Sequence, residues 1–181
     1  VFSGIMGPSQ YFDHIISLNK IKKINDNFNF LVISKGSEIN KFKNKSQINN
    51  FKNIKFLNFV SDEKLRKILS ICDFGLITLS FSNKTPVVPG KLMIYSACKL
   101  PSICIVNSQS DLNNIILKFK SGLIVNNKTK NCYEVLEEKL SKLSSTQYNL
   151  LKKNCADMFK EMYDSEKVIY DLLIKIDKHF A

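Results

Sequence analysis

Three corners of the chain combine the residue types and spacings that could do chemistry. The first is Ser3-Gly4-Ile5-Met6-Gly7-Pro8-Ser9-Gln10. Its glycines let the backbone approach a ligand closely, and a helix following them would offer free N–H groups to an anion. The stretch lacks the G-x-G-x-x-G spacing of a dinucleotide loop and the Gly-Lys-Ser/Thr ending of a Walker loop. The competing reading is a glycine turn with Ser9 as a helix N-cap. The second corner is Thr85-Pro86-Val87-Val88-Pro89-Gly90-Lys91, where Gly90 and Lys91 fall in a first helical turn. Backbone N–H groups and one ammonium there would suit a diphosphate. The alternative is a proline-stiffened loop with a solvated lysine. The third is Leu57-Asn58-Phe59-Val60-Ser61, a corner able to hold a flat base, or simply a packed loop ahead of a cap.

Other chemistries find little support. The two histidines, His14 and His179, lie far in sequence from any Ser or Cys that could be a nucleophile. His14 sits in an apolar helical stripe and reads as a partly buried structural residue. Asp13, Asp62, Glu63, Asp73 and Asp111 are scattered, without the pairing hydrolysis requires. Five dispersed cysteines contain no C-x-x-C, so neither a zinc site nor a disulfide framework is expected, and no metal or cofactor is called for.

The elements that must position these corners alternate along the chain. Val1–Ser3, Phe28–Ser34, Ile54–Leu57, Phe74–Leu79, Ser102–Val106 and Gly122–Val125 read as six short strands. Helical periodicity occupies Tyr11–Ile24, Ser61–Ile71, about Gly90–Cys98 and Asp111–Lys118, and Ser61 is a good N-cap followed by Asp62 and Glu63. Three more helices follow Lys130, over Cys132–Leu143, Gln147–Met162 and Ser165–Ile176. Strands this apolar suit a sheet covered on both faces, and the alternation predicts an α/β fold with an open, doubly wound parallel sheet. In such a fold ligands sit at the carboxyl ends of the strands, where all three corners fall.

Composition narrows the partners. The formal charge is +11, but Arg66 is the only arginine among 27 Lys and Arg residues. Sequence-specific nucleic-acid readout leans on arginine and is not expected. Attraction to phosphates or to an anionic membrane surface survives, with Lys41, Lys43 and Lys45 as the densest tract. No apolar run approaches the roughly 18–20 residues of a membrane span. Val1–Gly7 lacks the charged start of a signal peptide, which points to a cytoplasmic chain.

Five segments, in order, resemble the C-terminal half of a GT-B-fold glycosyltransferase of family 4 (group 1). The most specific runs from Val88-Pro89-Gly90-Lys91 through Leu92-Met93-Ile94-Tyr95-Ser96-Ala97-Cys98-Lys99-Leu100-Pro101. Phe2–Gln10, Ile54–Val60, Ile71–Leu76 and Ser121–Val125 support it. The resemblance implies a Rossmann-like domain binding a nucleotide-diphosphate sugar over residues 1–163, followed by a C-terminal helix over 164–181. An N-terminal acceptor domain, absent from this chain, would close the cleft, so the isolated domain is expected to be inactive. It further implies diphosphate contacts from Gly4, Gly7, Gln10, Val88, Pro89, Gly90 and Lys91, and base or ribose contacts near Phe59, Val60 and Ile94. Many family members carry two spaced glutamates where Pro86 and Ile94 stand here, and a basic pair where Ile5 and Gln10 stand. Lys91 is then the only nearby cation. The implied activity is sugar transfer, with a UDP-sugar as the expected donor and a lipid-linked or polysaccharide acceptor. That transfer would serve bacterial surface-polysaccharide assembly, with the enzyme peripheral on the inner membrane face. A non-catalytic Rossmann-like nucleotide- or phosphate-binding module is the alternative.

Overall fold

A computed structural model describes residues 1–83 and 86–180, with side chains described through Ile176. Thr85, the first residue of the second corner, and the side chain of His179 lie outside the described residues. Six strands form: β1 (Phe2–Ile5), β2 (Phe30–Lys35), β3 (Ile54–Leu57), β4 (Gly75–Thr78), β5 (Ser102–Val106) and β6 (Gly122–Asn126). Every pairing is parallel, in two three-stranded blocks, β1-β2-β3 with β2 central and β4-β5-β6 with β5 central. One rung joins the blocks. The Val1 amino group donates to the Phe74 carbonyl at 2.6 Å, and the Leu76 N–H donates to the Val1 carbonyl at 2.7 Å. The strand order across the molecule is therefore 3-2-1-4-5-6, the doubly wound arrangement, with its reversal point between β1 and β4.

Helices cover both faces. They are α1 (Asp13–Asn19), α2 (Lys22–Asn27), α3 (Ile39–Ile48), α4 (Asp62–Ser70), α5 (Lys91–Ala97), α6 (Asp111–Phe119), α7 (Cys132–Ser141), α8 (Ser145–Met162) and α9 (Ser165–Phe180). One apolar core takes Phe2, Ile15, Val32, Phe42, Leu76, Ile105 and Leu136 from both blocks. The other takes Leu69, Ile77, Leu92, Tyr95, Cys104, Ile116 and Met158, where α4, α5, α6 and α8 meet β4 and β5. The strands read nearly all-apolar because each is sandwiched between these cores. Helix α8 starts on a complete capping box, with Ser144 accepting from the Gln147 N–H and the Gln147 side chain accepting from the Ser144 N–H.

Two local expectations need correction. The single helix expected over Tyr11–Ile24 is broken into α1 and α2, preceded by a separate 3-10 turn (Pro8–Gln10), with Ile21 extended at φ −80°, ψ 115°. The reason is side-chain competition for the backbone. The Asn19 amide donates to the Ile15 carbonyl, and its oxygen takes the amide of Asn53, which also reaches the Phe28 carbonyl at 2.8 Å. Ser9 is accordingly no N-cap, being inside the 3-10 turn. Ser61 stands at the N-cap of α4 in extended conformation, but its side chain makes no capping bond.

Candidate functional site

The crevice at the β1/β4 reversal point is built by residues far apart in sequence. Gly4, the penultimate residue of β1, has φ +111°, a conformation that L side chains rarely adopt. A Cβ there would lie 3.4 Å from Lys91 Cε and 3.5 Å from Nζ, ordinary contact distances, so Lys91 lies directly beside Gly4 and it is the backbone conformation that favours glycine. The Lys91 ammonium donates to the Gln10 side-chain oxygen at 2.7 Å and stands 4.6 Å from the centroid of the Phe2 ring. Burial pulls its pKa down from 10.5 to about 8. Desolvation is the only cause of that shift. A cation held here by neutral partners has its charge uncancelled and can pair with an anion.

The first corner is fastened to the second block. The Thr78 hydroxyl donates to the Gln10 carbonyl, and the Ser80 N–H donates to the Ser9 carbonyl at 2.9 Å. Helix α5 is fastened in turn by Tyr95, one turn beyond Lys91. The Tyr95 hydroxyl is fully buried, accepts from the Ser3 N–H at 3.0 Å and from the Ser3 hydroxyl at 3.2 Å, and donates to the Val1 carbonyl at 3.5 Å. Burial pushes its pKa up to about 12, so it stays protonated. The Ser3 N–H would otherwise donate the next rung toward β4. Because Tyr95 takes it, the two blocks separate after a single rung. Gly75 makes this possible: a Cβ on it would meet the Tyr95 ring at 2.3 Å.

Of the expected site residues, Gly4, Gln10 and Lys91 come together. Gly7 opens the 3-10 turn at φ −117° with nothing within 4 Å of a built Cβ, so the space beside it is free. Pro89 is buried and its carbonyl accepts from the Leu92 N–H, while Val88 and Gly90 face solvent. The expectation that a helix directly follows the glycine corner is not met. Pro8 has no N–H, and the Gln10 N–H turns back to the Gly7 carbonyl at 3.0 Å. Phe59 is half-exposed and lies under a different lysine, with Lys35 Nζ 4.5 Å from its ring centroid, and Val60 is partly buried beside it. Ile94 is partly buried and packs against the second core. Sequence reasoning missed Phe2, Lys35, Thr78 and Tyr95. Only the i, i+4 spacing of Lys91 and Tyr95 could have signalled one of them.

His14 lies at the back of the crevice with its side chain buried. Its Nε2–H donates to the Leu79 carbonyl at 3.0 Å, so Nδ1 accepts from the Tyr133 hydroxyl at 2.8 Å. Burial lowers its pKa to about 4. It is a neutral strut, also packed edge-on against Phe81 and Tyr11. The lysine tract lies on and around α3: Lys45 pairs with Asp13 at 2.7 Å and Lys41 with Glu38 at 3.3 Å, which spends two of its three charges internally. A cavity of about 610 Å³ opens at the opposite, amino ends of the strands, between Val1, Phe28, Phe74, Leu140 and Tyr148. Its lining is mostly apolar and it does not reach Lys91. Among the described residues, no group of three His, Cys, Asp or Glu side chains could hold a metal ion, and no helix is long and apolar enough to cross a membrane.

This order of strands, with its crevice at the reversal point and its run of terminal helices, is the architecture of one Rossmann-like half of a GT-B glycosyltransferase. Solved structures of such enzymes share it. The chain superposes on TarM with a TM-score of 0.72 at 16 % identity, over 95 % of its own length and 34 % of TarM. It matches Anabaena HepE in complex with UDP with a TM-score of 0.73 at 10 % identity, over 98 % of itself and 48 % of HepE. It also matches the catalytic domain of cholesterol-α-glucosyltransferase from Helicobacter pylori, TM-score 0.63 and 12 % identity, covering 88 % of itself and 97 % of that chain. The chain thus spans under half the length of TarM and HepE. No family model and no curated protein matches the sequence.

Proposed function

We propose that this chain is the donor-binding half of a glycosyltransferase that takes its sugar from a nucleotide-diphosphate sugar, with UDP as the carrier. The observation that carries the reading is Lys91: a partly buried ammonium, held over Gly4 at the reversal point, with neutral groups as its partners. In that position it would neutralise the charge that develops on the departing diphosphate as the bond from the sugar's anomeric carbon to the phosphate oxygen breaks and one to the acceptor oxygen, which gives up its proton, forms. Gly4, Gly7, Gln10, Val88, Pro89 and Gly90 would frame the diphosphate, and Phe59 and Val60 would flank the base. The HepE structure cited above holds UDP, which supports the choice of carrier.

An acceptor-binding N-terminal half would complete the cleft. The acceptor would be lipid-linked or polysaccharide, on the cytoplasmic side of the membrane. Ile94 favours one refinement: its apolar side chain offers the ribose no hydrogen bond, so donor affinity rests on the diphosphate. Calorimetric titration with UDP and UDP-sugars tests the proposal. Binding at micromolar to millimolar concentration that Lys91→Met abolishes is expected. No heat from UDP at millimolar concentration would refute it and favour a module that keeps the fold without binding a donor.

A further inference from the structure

Gln10 meets the crevice through Lys91 as well as through its own amide. An ammonium has donors alone, so it is the oxygen of the Gln10 amide that faces it, at 2.7 Å. The residue is itself fixed three ways. Its N–H bonds the Gly7 carbonyl, its carbonyl takes the Thr78 hydroxyl, and its side chain takes Lys91. It therefore links the β1 corner, the end of β4 and the start of α5. We propose, resting on the donor reading above, that Gln10 is a positioning residue. Its neutral oxygen occupies the place of a phosphate oxygen on Lys91 until the donor diphosphate displaces it.

The choice of an amide is what makes such a placeholder work. A carboxylate at the same atom would neutralise Lys91 and repel a diphosphate. An apolar side chain would take from the half-buried ammonium the acceptor it has among the described residues and favour its neutral form. The amide orders the ammonium and leaves its charge uncancelled. The other neighbours add no charge. The Phe2 ring and Gly4 are neutral, and Tyr95, one turn along α5, stays protonated below about pH 12. Burial alone lowers the Lys91 pKa to about 8, close enough to neutrality that a charged or apolar side chain at position 10 would change its protonation.

The test compares wild type, Gln10→Glu and Gln10→Met, near-isosteric changes, in the 181-residue chain. UDP and inorganic pyrophosphate are titrated from pH 6.5 to 10, and the Lys91 side chain is followed by NMR without ligand. Wild-type affinity is expected to fall above about pH 8. In Gln10→Glu the fall should move up by about one pH unit or more, with affinity near pH 7 weakened about tenfold. In Gln10→Met it should move down. A role confined to folding would not move the two limbs in opposite directions. If wild type binds and all three limbs coincide, the placeholder is refuted while the donor reading stands. If no form binds UDP or pyrophosphate, even though Gln10→Glu shifts the Lys91 titration, the donor reading falls and the placeholder with it.

Discussion

Replacing Lys91 by methionine should remove ligand binding and make the protein more stable at neutral pH. The charged lysine is held where its pKa is about 8 instead of 10.5. At about 1.4 kcal/mol per pKa unit, keeping it protonated at pH 7 costs the fold about 3 kcal/mol. The side chain is only half-buried, so solvent screening trims this to about 1–2 kcal/mol. The lost bond to Gln10 is partly made good by the apolar contact of methionine with Phe2. For a chain of this length that is a rise in Tm of about 3–6 °C. The sign depends on pH. Between about 8 and 10.5 the unfolded chain holds the Lys91 proton and the folded one does not. Wild-type stability therefore gains with pH through that window relative to the methionine variant. The advantage of Lys91→Met should shrink by pH 10, where the other titrating groups are common to both proteins and cancel. Thermal unfolding followed by circular dichroism at pH 7 and 10 measures this. A variant less stable than wild type at pH 7, or a gap independent of pH, would refute the argument that burial strains Lys91.

Three other expectations concern the elements behind the site. Gly75→Ala places a Cβ 2.3 Å from the Tyr95 ring and should cost about 1–3 kcal/mol, read from urea denaturation. Most of that loss should disappear in the Gly75→Ala, Tyr95→Leu double variant. Tyr95→Phe keeps the packing but leaves the buried Ser3 N–H without its acceptor, so stability should fall by about 1–3 kcal/mol. UDP affinity should fall with it, because α5 carries Lys91. His14 should make the protein acid-sensitive. Its folded pKa is about 4 against an ordinary 6.5, so the unfolded chain binds the extra proton between those values. Stability should therefore drop as pH falls from 6.5 toward 4. His14→Gln, compared by urea titration at pH 7 and 4.5, should lose most of that slope.

The fold was largely legible because each strand is a short apolar run closed by a turn, and the buried sheet demands such runs on every strand. Lys91 could be singled out for the same reason, since it follows a strand end and two prolines. The rest was hidden by sequence distance. Gln10 and Lys91 are 81 positions apart, and Ser3 and Tyr95 are 92 apart. No local pattern joins either pair. The break between α1 and α2 was illegible because Asn53, which fixes it, belongs to another part of the chain. Ile94 stands in a motif that implies a ligand contact, and its partly buried side chain packs against the second core.

The single rung between β1 and β4 has a mechanical consequence. Backbone hydrogen bonds stitch each three-stranded block together, yet between β1 and β4 they give way to one rung, the Tyr95 hydroxyl, the bonds of Thr78 and Ser80 to the first corner, and a shared apolar face. The molecule is thus two stiff plates meeting at a compliant seam. Gly4 lies on one plate and Lys91 on the other, so an anion gripped by both would act as a rivet. Slow hydrogen exchange should then spread from the strand centres into the seam on binding. Resistance to pulling the plates apart should rise with the ligand, although the ligand touches neither core.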